Sequence, residues 1–137
     1  MKLNHPLITK LKSLNLPAED YVIFASGPMY AHGLKDLSHD LDLVARGKAW
    51  KKACSINKPV DCSIGNGQVV ELFDGEIEIF NSWEPGEWNI DELIDNADIV
   101  DGIRFGKLTD VLRWKRLMAR PKDLEHIKLI ENYLERK

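Results

Sequence analysis

The hydrophobic positions of the chain change period several times, and each change marks an element. Leu3, Leu7, Ile8, Leu11 and Leu14 recur at the spacing of one helix face. With Pro6 placed where a first turn tolerates it, residues 4–15 are expected to form an amphipathic helix. Asn15-Leu-Pro17 breaks that period. Tyr21-Val-Ile-Phe-Ala25 is then a short β-branched and aromatic run that stops at Ser26-Gly27-Pro28, the pattern of a buried strand ending in a turn. Met29 to Leu34 has length for about two helical turns, closed by Gly33, and the N-terminus of such a helix points backbone N–H groups at whatever the turn binds. Leu41 to Ala45 reads as a second strand.

Lys48 to Cys54 follows as a short helix, and a loop around Asn57-Lys-Pro59 leads to two further apolar runs, Gln68 to Phe73 and Ile77 to Phe80. Asp74-Gly75 between them is a two-residue hairpin signal. Ile90 to Ala97 is expected as a short acidic helix and Ile99 to Phe105 as the last strand, turning near Gly102. Thr109 is placed to cap a helix running through Ala119, on which Val111, Leu112, Met118 and Ala119 form an apolar stripe with Lys115 in its middle. Trp114 and Leu117 fall to one side. Pro121 suits the first turn of a final helix, with Leu124, Ile127, Ile130 and Leu134 as the buried stripe and Asp123 on the same side. Helices and strands mixed in this way predict an α+β fold: a small mixed sheet with helices against one face and a helix pair at the C-terminal edge.

Composition changes this picture little. At 137 residues, 44% apolar and 30% charged, the chain fits one domain, residues 1–137, with a core of its own. A formal charge of −3 supplies no overall attraction to nucleic acid or to a membrane surface. Cys54 and Cys62 have no CxxC spacing and are too few for a disulfide framework. The first residues carry no apolar segment of secretory or membrane-spanning length, so a cytoplasmic location is expected.

The candidate chemistry lies where polar residues interrupt the strands. Side chains alternate along a strand, so Asp40 and Asp42 share one face while Leu41 and Leu43 take the other. Adjacent carboxylates raise each other's pKa, an arrangement tolerated where a cation lies between them. Oxygen ligands suit Mg²⁺, which takes one or two carboxylates and leaves other positions to substrate phosphates. The plain alternative is a solvated edge face. His32 and His39 flank the region, but their simpler roles are to close a helix and to precede the acidic strand. Glu76 and Glu78 point together from the last strand of the hairpin, opposite Ile77 and Ile79. Trp83 and Trp88 lie in a polar loop, where capping the core is favoured over stacking on a base. Lys115, aimed inward, needs a snorkelling path or an anionic partner, and Arg120 with Asp123 forms a candidate pair at the helix junction.

The Ser26-Gly27 turn, twelve residues, then Asp40-Leu-Asp42-Leu resembles the pattern of the nucleotidyltransferase superfamily, which includes aminoglycoside and small minimal nucleotidyltransferases. The order Ser-Gly stands where Gly-Ser or Gly-Gly is usual. Lys115 followed by Arg120-Pro-Lys-Asp123 resembles the C-terminal part of the small members, so the resemblance spans about residues 22–130. It implies metal-dependent transfer of a nucleoside monophosphate from an NTP to an acceptor hydroxyl, with Mg²⁺ or Mn²⁺ as cofactor. Asp40 and Asp42 would hold the metal. Glu78 in Ile77-Glu78-Ile79 would be the third acid, or take the acceptor proton, with Glu76 as fallback and an exposed hairpin glutamate as the plain reading of both. Ser26 and Gly27 would cradle the β and γ phosphates, and Lys115 would add a phosphate contact. The expected partners are an NTP, ATP first among them, and an unidentified acceptor, with a protein partner or homodimer left open. The rival is a non-catalytic nucleotide- or partner-binding domain of the same fold, including an antitoxin-type partner.

Overall fold

A computed structural model describes residues 2–136, and it is the α+β arrangement the patterns predict. Seven strands form one mixed sheet in the order β3-β4-β5-β2-β1-β7-β6. The strands are β1 (Tyr21–Phe24), β2 (Leu41–Ala45), β3 (Val60–Asp61), β4 (Gln68–Leu72), β5 (Ile77–Phe80), β6 (Asp98–Val100) and β7 (Ile103–Phe105). The helices are α1 (Pro6–Ser13), α2 (Gly27–Ala31), α3 (Gly47–Ile56), α4 (Ile90–Asp95), α5 (Leu108–Met118) and α6 (Pro121–Glu135). Central β2 runs antiparallel to β1 and parallel to β5.

Strand alternation divides the hydrophobic side chains into two cores. Tyr21, Ile23, Leu41, Leu43, Ile77 and Ile79 face one side, against Leu7, Ile8 and Leu11 of α1 and Ala49 and Ala53 of α3. Val22, Phe24 and Val44 face the other, against Leu93 and Ile94 of α4, Val111, Leu112 and Trp114 of α5, and Ile130 of α6. The expected C-terminal helix pair, α5 and α6, lies with α4 against the second face. Helices cover both faces, and the acidic residues occupy the part of the second face that α4–α6 leave open.

Several local expectations also shift. The segment after the Ser-Gly turn makes only the five-residue α2, which begins at Gly27, earlier than expected. Its end is as read, with Gly33 left-handed at φ 75° and the Leu34 N–H donating to the Met29 carbonyl at 2.8 Å. The β4–β5 connection has four residues: Leu72 pairs with Ile77, and Phe73, Asp74 and Gly75 all take positive φ. The Asp-Gly signal is real, but the turn closes one residue early and Glu76 stays in the loop. The last strand is a hairpin, β6–β7, turned at Asp101-Gly102 with both residues left-handed. Thr109 does not cap α5, because Lys107 is the N-cap and Thr109 lies inside the first turn. On α6, Leu124 is 56% exposed and leaves the predicted stripe.

Candidate active site

A single cross-strand row carries most of the site. Phe24 of β1 pairs with Asp42 of β2, Asp42 with Glu78 of β5, and Glu78 with Glu71 of β4. The next row on the same face is Val22, Val44, Phe80 and Val69. Apolar packing by that second row fixes the register, since a one-residue slip would turn both rows to the other face. Asp40, just ahead of β2, shares the parity of Asp42. Asp40, Asp42 and Glu78 each offer a carboxylate oxygen, and these oxygens all lie within 4.8 Å of one another.

Asp42 is the electrostatic centre of the group. Burial, then the charges of Asp40 and Glu78, push its pKa up to about 7, against a smaller opposing pull from Lys122. Glu78 is raised as well, by burial and by the charges of Asp40 and Glu71, while its hydrogen bond with Asp42 works the other way. Carboxylates that converge in this way, with the pKa of the central one raised to about 7, are short of positive charge. A hard divalent cation with oxygen ligands fits that deficit, so the residues present suit Mg²⁺ or Mn²⁺.

The geometry separates Glu78 from its fallback. Glu76 lies in the turn and pairs with Lys10 of α1, whereas Glu78 is a strand residue abreast of Asp42.

Two clefts meet at Asp42. The smaller, about 190 Å³, is lined by Ser26, Gly27, Ser38, Asp40, Asp42, Arg120 and Lys122 among others. The larger, about 400 Å³, runs across β5 and β4 to the β3 edge, with Glu71, Glu78, Phe80, Trp83 and Ile64 in its walls. Asp42, Trp114 and Arg120 border both.

Ser26 and Gly27 line the small cleft together with Asp40 and Asp42. Buried Ala25, at φ 59°, bends the chain sharply out of β1 so that α2 starts beside the acidic row. A Cβ on Gly27 would come 2.3 Å from Ile23 Cγ2, so this glycine is required for α2 to cross β1 closely. Met29 and Tyr30 donate to the Ser26 carbonyl and Pro28 has no N–H. The turn therefore offers a ligand the Ser26 hydroxyl and the N–H groups of Ser26 and Gly27.

Lys115 is buried in the α5 stripe, as the helical period predicts, and meets an anionic partner instead of a ligand. It is 1% exposed and borders neither cleft. Its Nζ lies 3.4 Å from Asp123 Oδ1 and 2.9 Å from His126 Nδ1. A phosphate-contacting role is thereby corrected to a buried ion pair, because Asp123 on α6 reaches the lysine before any ligand can. The cations that do reach the cleft are Arg120 and Lys122, and the inward-facing Arg120-Pro-Lys-Asp junction was the signal that could have found them. Trp114, read as lying to one side, is buried and stacks among Phe24 and Trp83 with ring centroids 5.2–6.1 Å away. Trp83 and Trp88 behave as core caps. Trp83 packs edge-on against Phe24 and Phe80 and also borders the large cleft, and Trp88 is closed off by Arg113, 3.6 Å above its ring. His39 is exposed, and His32 sits 3.4 Å from Asp98 and from Tyr133, bordering neither cleft.

Among the described residues no helix is long and apolar enough to cross a membrane. No protein-family profile, curated protein or solved structure matches the chain.

Proposed function

We propose that the protein is a metal-dependent nucleotidyltransferase that moves a nucleoside monophosphate from an NTP, ATP in the first instance, to an acceptor hydroxyl on a small molecule or protein. The observation that carries this reading is the convergence of Asp40, Asp42 and Glu78 within 4.8 Å at the junction of two clefts with different linings. The small cleft offers phosphate its hydroxyl, backbone N–H groups and Lys122. The large cleft offers an organic acceptor an aromatic and aliphatic wall. Asp40, Asp42 and Glu78 would hold Mg²⁺ or Mn²⁺, which when bound neutralises charge on attacking and leaving oxygens. Ser26 and Gly27 orient the β and γ phosphates, and Lys122 balances their charge. Glu78 reaches into the large cleft and accepts the acceptor's hydroxyl proton on a carboxylate oxygen. Trp83 and Trp114 limit water at the junction. Free Cys54 and Cys62 suit a reducing cytoplasm.

A second reading, a nucleotide- or partner-binding domain of this fold without turnover, is favoured by one observation. Gly27 has a packing reason to be glycine that owes nothing to phosphate. The two readings differ in products. With an NTP labelled at the α-phosphorus, Mg²⁺ or Mn²⁺, and mixed small-molecule and protein acceptors, the transferase transfers the label and releases pyrophosphate, and Asp42→Asn abolishes both. Bound nucleotide without transfer, across all four NTPs and both metals, would favour the binding domain.

A further inference from the structure

The buried charges at the α5–α6 junction are arranged to serve the small cleft. Asp123 is 0% exposed and spends both oxygens on Arg120: Oδ2 accepts from the Arg120 backbone N–H at 3.0 Å and from Nε at 2.7 Å, and Oδ1 accepts from Nη2 at 3.1 Å. This bidentate grip leaves Nη1 and one Nη2 proton of the guanidinium with no protein acceptor among the described residues. The fork has five donors in a fixed plane, so the anchored edge determines where the free edge points. Arg120 is 37% exposed, borders both clefts, and lies 5.5 Å from the Trp114 ring at their shared wall.

Charge arithmetic explains the lysine. A guanidinium gripped by one carboxylate is close to neutral when viewed from a ligand. Lys115 supplies a second cation to the same carboxylate from its buried side, and His126 accepts from that lysine through Nδ1. Lys115, Asp123 and Arg120 together carry one net positive charge, and only Arg120 brings it to the cleft. Resting on the nucleotidyl-transfer reading above, we infer that Arg120 contacts the triphosphate at the meeting point of the two clefts. Lys115 is a positioning residue that acts through Asp123 to keep Arg120 aimed and un-neutralised.

The test is calorimetric binding of Mg²⁺–tripolyphosphate, and of a Mg²⁺–NTP analogue that is not hydrolysed, to the full chain. Arg120→Gln is expected to weaken both at least tenfold and to flatten their salt dependence. Arg120→Lys should recover part of the affinity, since charge returns without the fork. Lys115→Met, which keeps the apolar stem, should weaken both three- to tenfold in wild type and by less than twofold in the Arg120→Gln background, because its effect passes through the arginine. Full affinity in Arg120→Gln, while Asp42→Asn loses metal-dependent binding, would overturn this inference and leave the transferase reading standing. Equal losses from Lys115→Met in both backgrounds would overturn the positioning role. Should Lys115→Met fail to fold, Arg120→Gln and Arg120→Lys still decide the phosphate contact. Failure of the wild-type protein to bind either probe would overturn the transferase reading and this inference together.

Discussion

Asp42 on β2 and Asp123 at the α5–α6 junction are the same residue type, and they end with opposite electrostatics. Asp42 sits with Asp40 and Glu78, and burial plus like charge raise its pKa to about 7. For Asp123 burial pulls the same way, but hydrogen bonds from Arg120 and the charge of Lys115 outweigh it and leave the pKa at about 2. A buried charge that the chain itself neutralises serves as a fixed part of the framework. One that the chain leaves uncompensated is poised for an external cation. Lys115 follows the same logic: burial lowers it to about 8, and Asp123 keeps it from falling further.

Breaking the compensated cluster should have the largest effect on folding. Asp123→Ala removes the reciprocal cap of α6 and strands a buried lysine, at an expected cost of about 3–5 kcal/mol, read by urea denaturation. Asp42→Asn should do the reverse in the metal-free protein, raising stability by roughly 1–3 kcal/mol as like-charge repulsion is relieved, while removing metal-dependent nucleotide binding. If Asp42→Asn destabilises the apo protein, the triad is a structural network and the contrast collapses.

The pH dependence sharpens the contrast because the two signs differ. Asp42 has a folded pKa above its unfolded value, so between about pH 4 and 7 the folded state holds the extra proton. This group's contribution to apo stability falls as pH rises through that window. Saturating Mg²⁺ should flatten or invert the trend. Asp123 has a folded pKa below its unfolded value, so its contribution is present above about pH 4 and is lost as pH falls toward 2. Melting curves from pH 3 to 8 with and without Mg²⁺ check both. A pH 4–7 slope that Mg²⁺ does not change would contradict the assignment of Asp42.

The smallest effect separates the two glutamates. Glu78→Gln should weaken metal-dependent NTP binding at least tenfold. Glu76→Gln should cost only its half-exposed pair with Lys10, under about 1 kcal/mol, with binding unchanged. Equal losses at the two positions would mean that Glu76 also reaches the metal.

Much of this was legible in the sequence because it depends on short-range alternation. Tyr21 to Phe24, Leu41 to Ala45 and Ile77 to Phe80 form strands where period two and β-branching place them, and the same alternation sets Asp40 and Asp42 on one face. Glu78 beside Asp42 needed the parallel β2–β5 pairing, which local pattern does not specify. The hairpin loop was misjudged by one residue at each end because Phe73 adopts a left-handed conformation that phenylalanine rarely takes. Lys115 illustrates the other limit. Its inward position follows from the helical wheel, but whether Asp123 or a phosphate meets it depends on how α6 folds back across α5. Helical phase also failed at Leu124, which is exposed while its neighbour Asp123 is fully buried, so the inward face of the first turn of α6 is polar.

The most direct test of the central claim is a Mn²⁺ titration followed by electron paramagnetic resonance, with and without a non-hydrolysable NTP, in wild type and Asp42→Asn. Weak Mn²⁺ binding to the wild-type protein alone is expected, tightened at least tenfold by the nucleotide because the triphosphate supplies the missing oxygen ligands, with the tightening lost in Asp42→Asn. Mn²⁺ affinity that ignores the nucleotide, or tightening that persists in Asp42→Asn, would contradict the account.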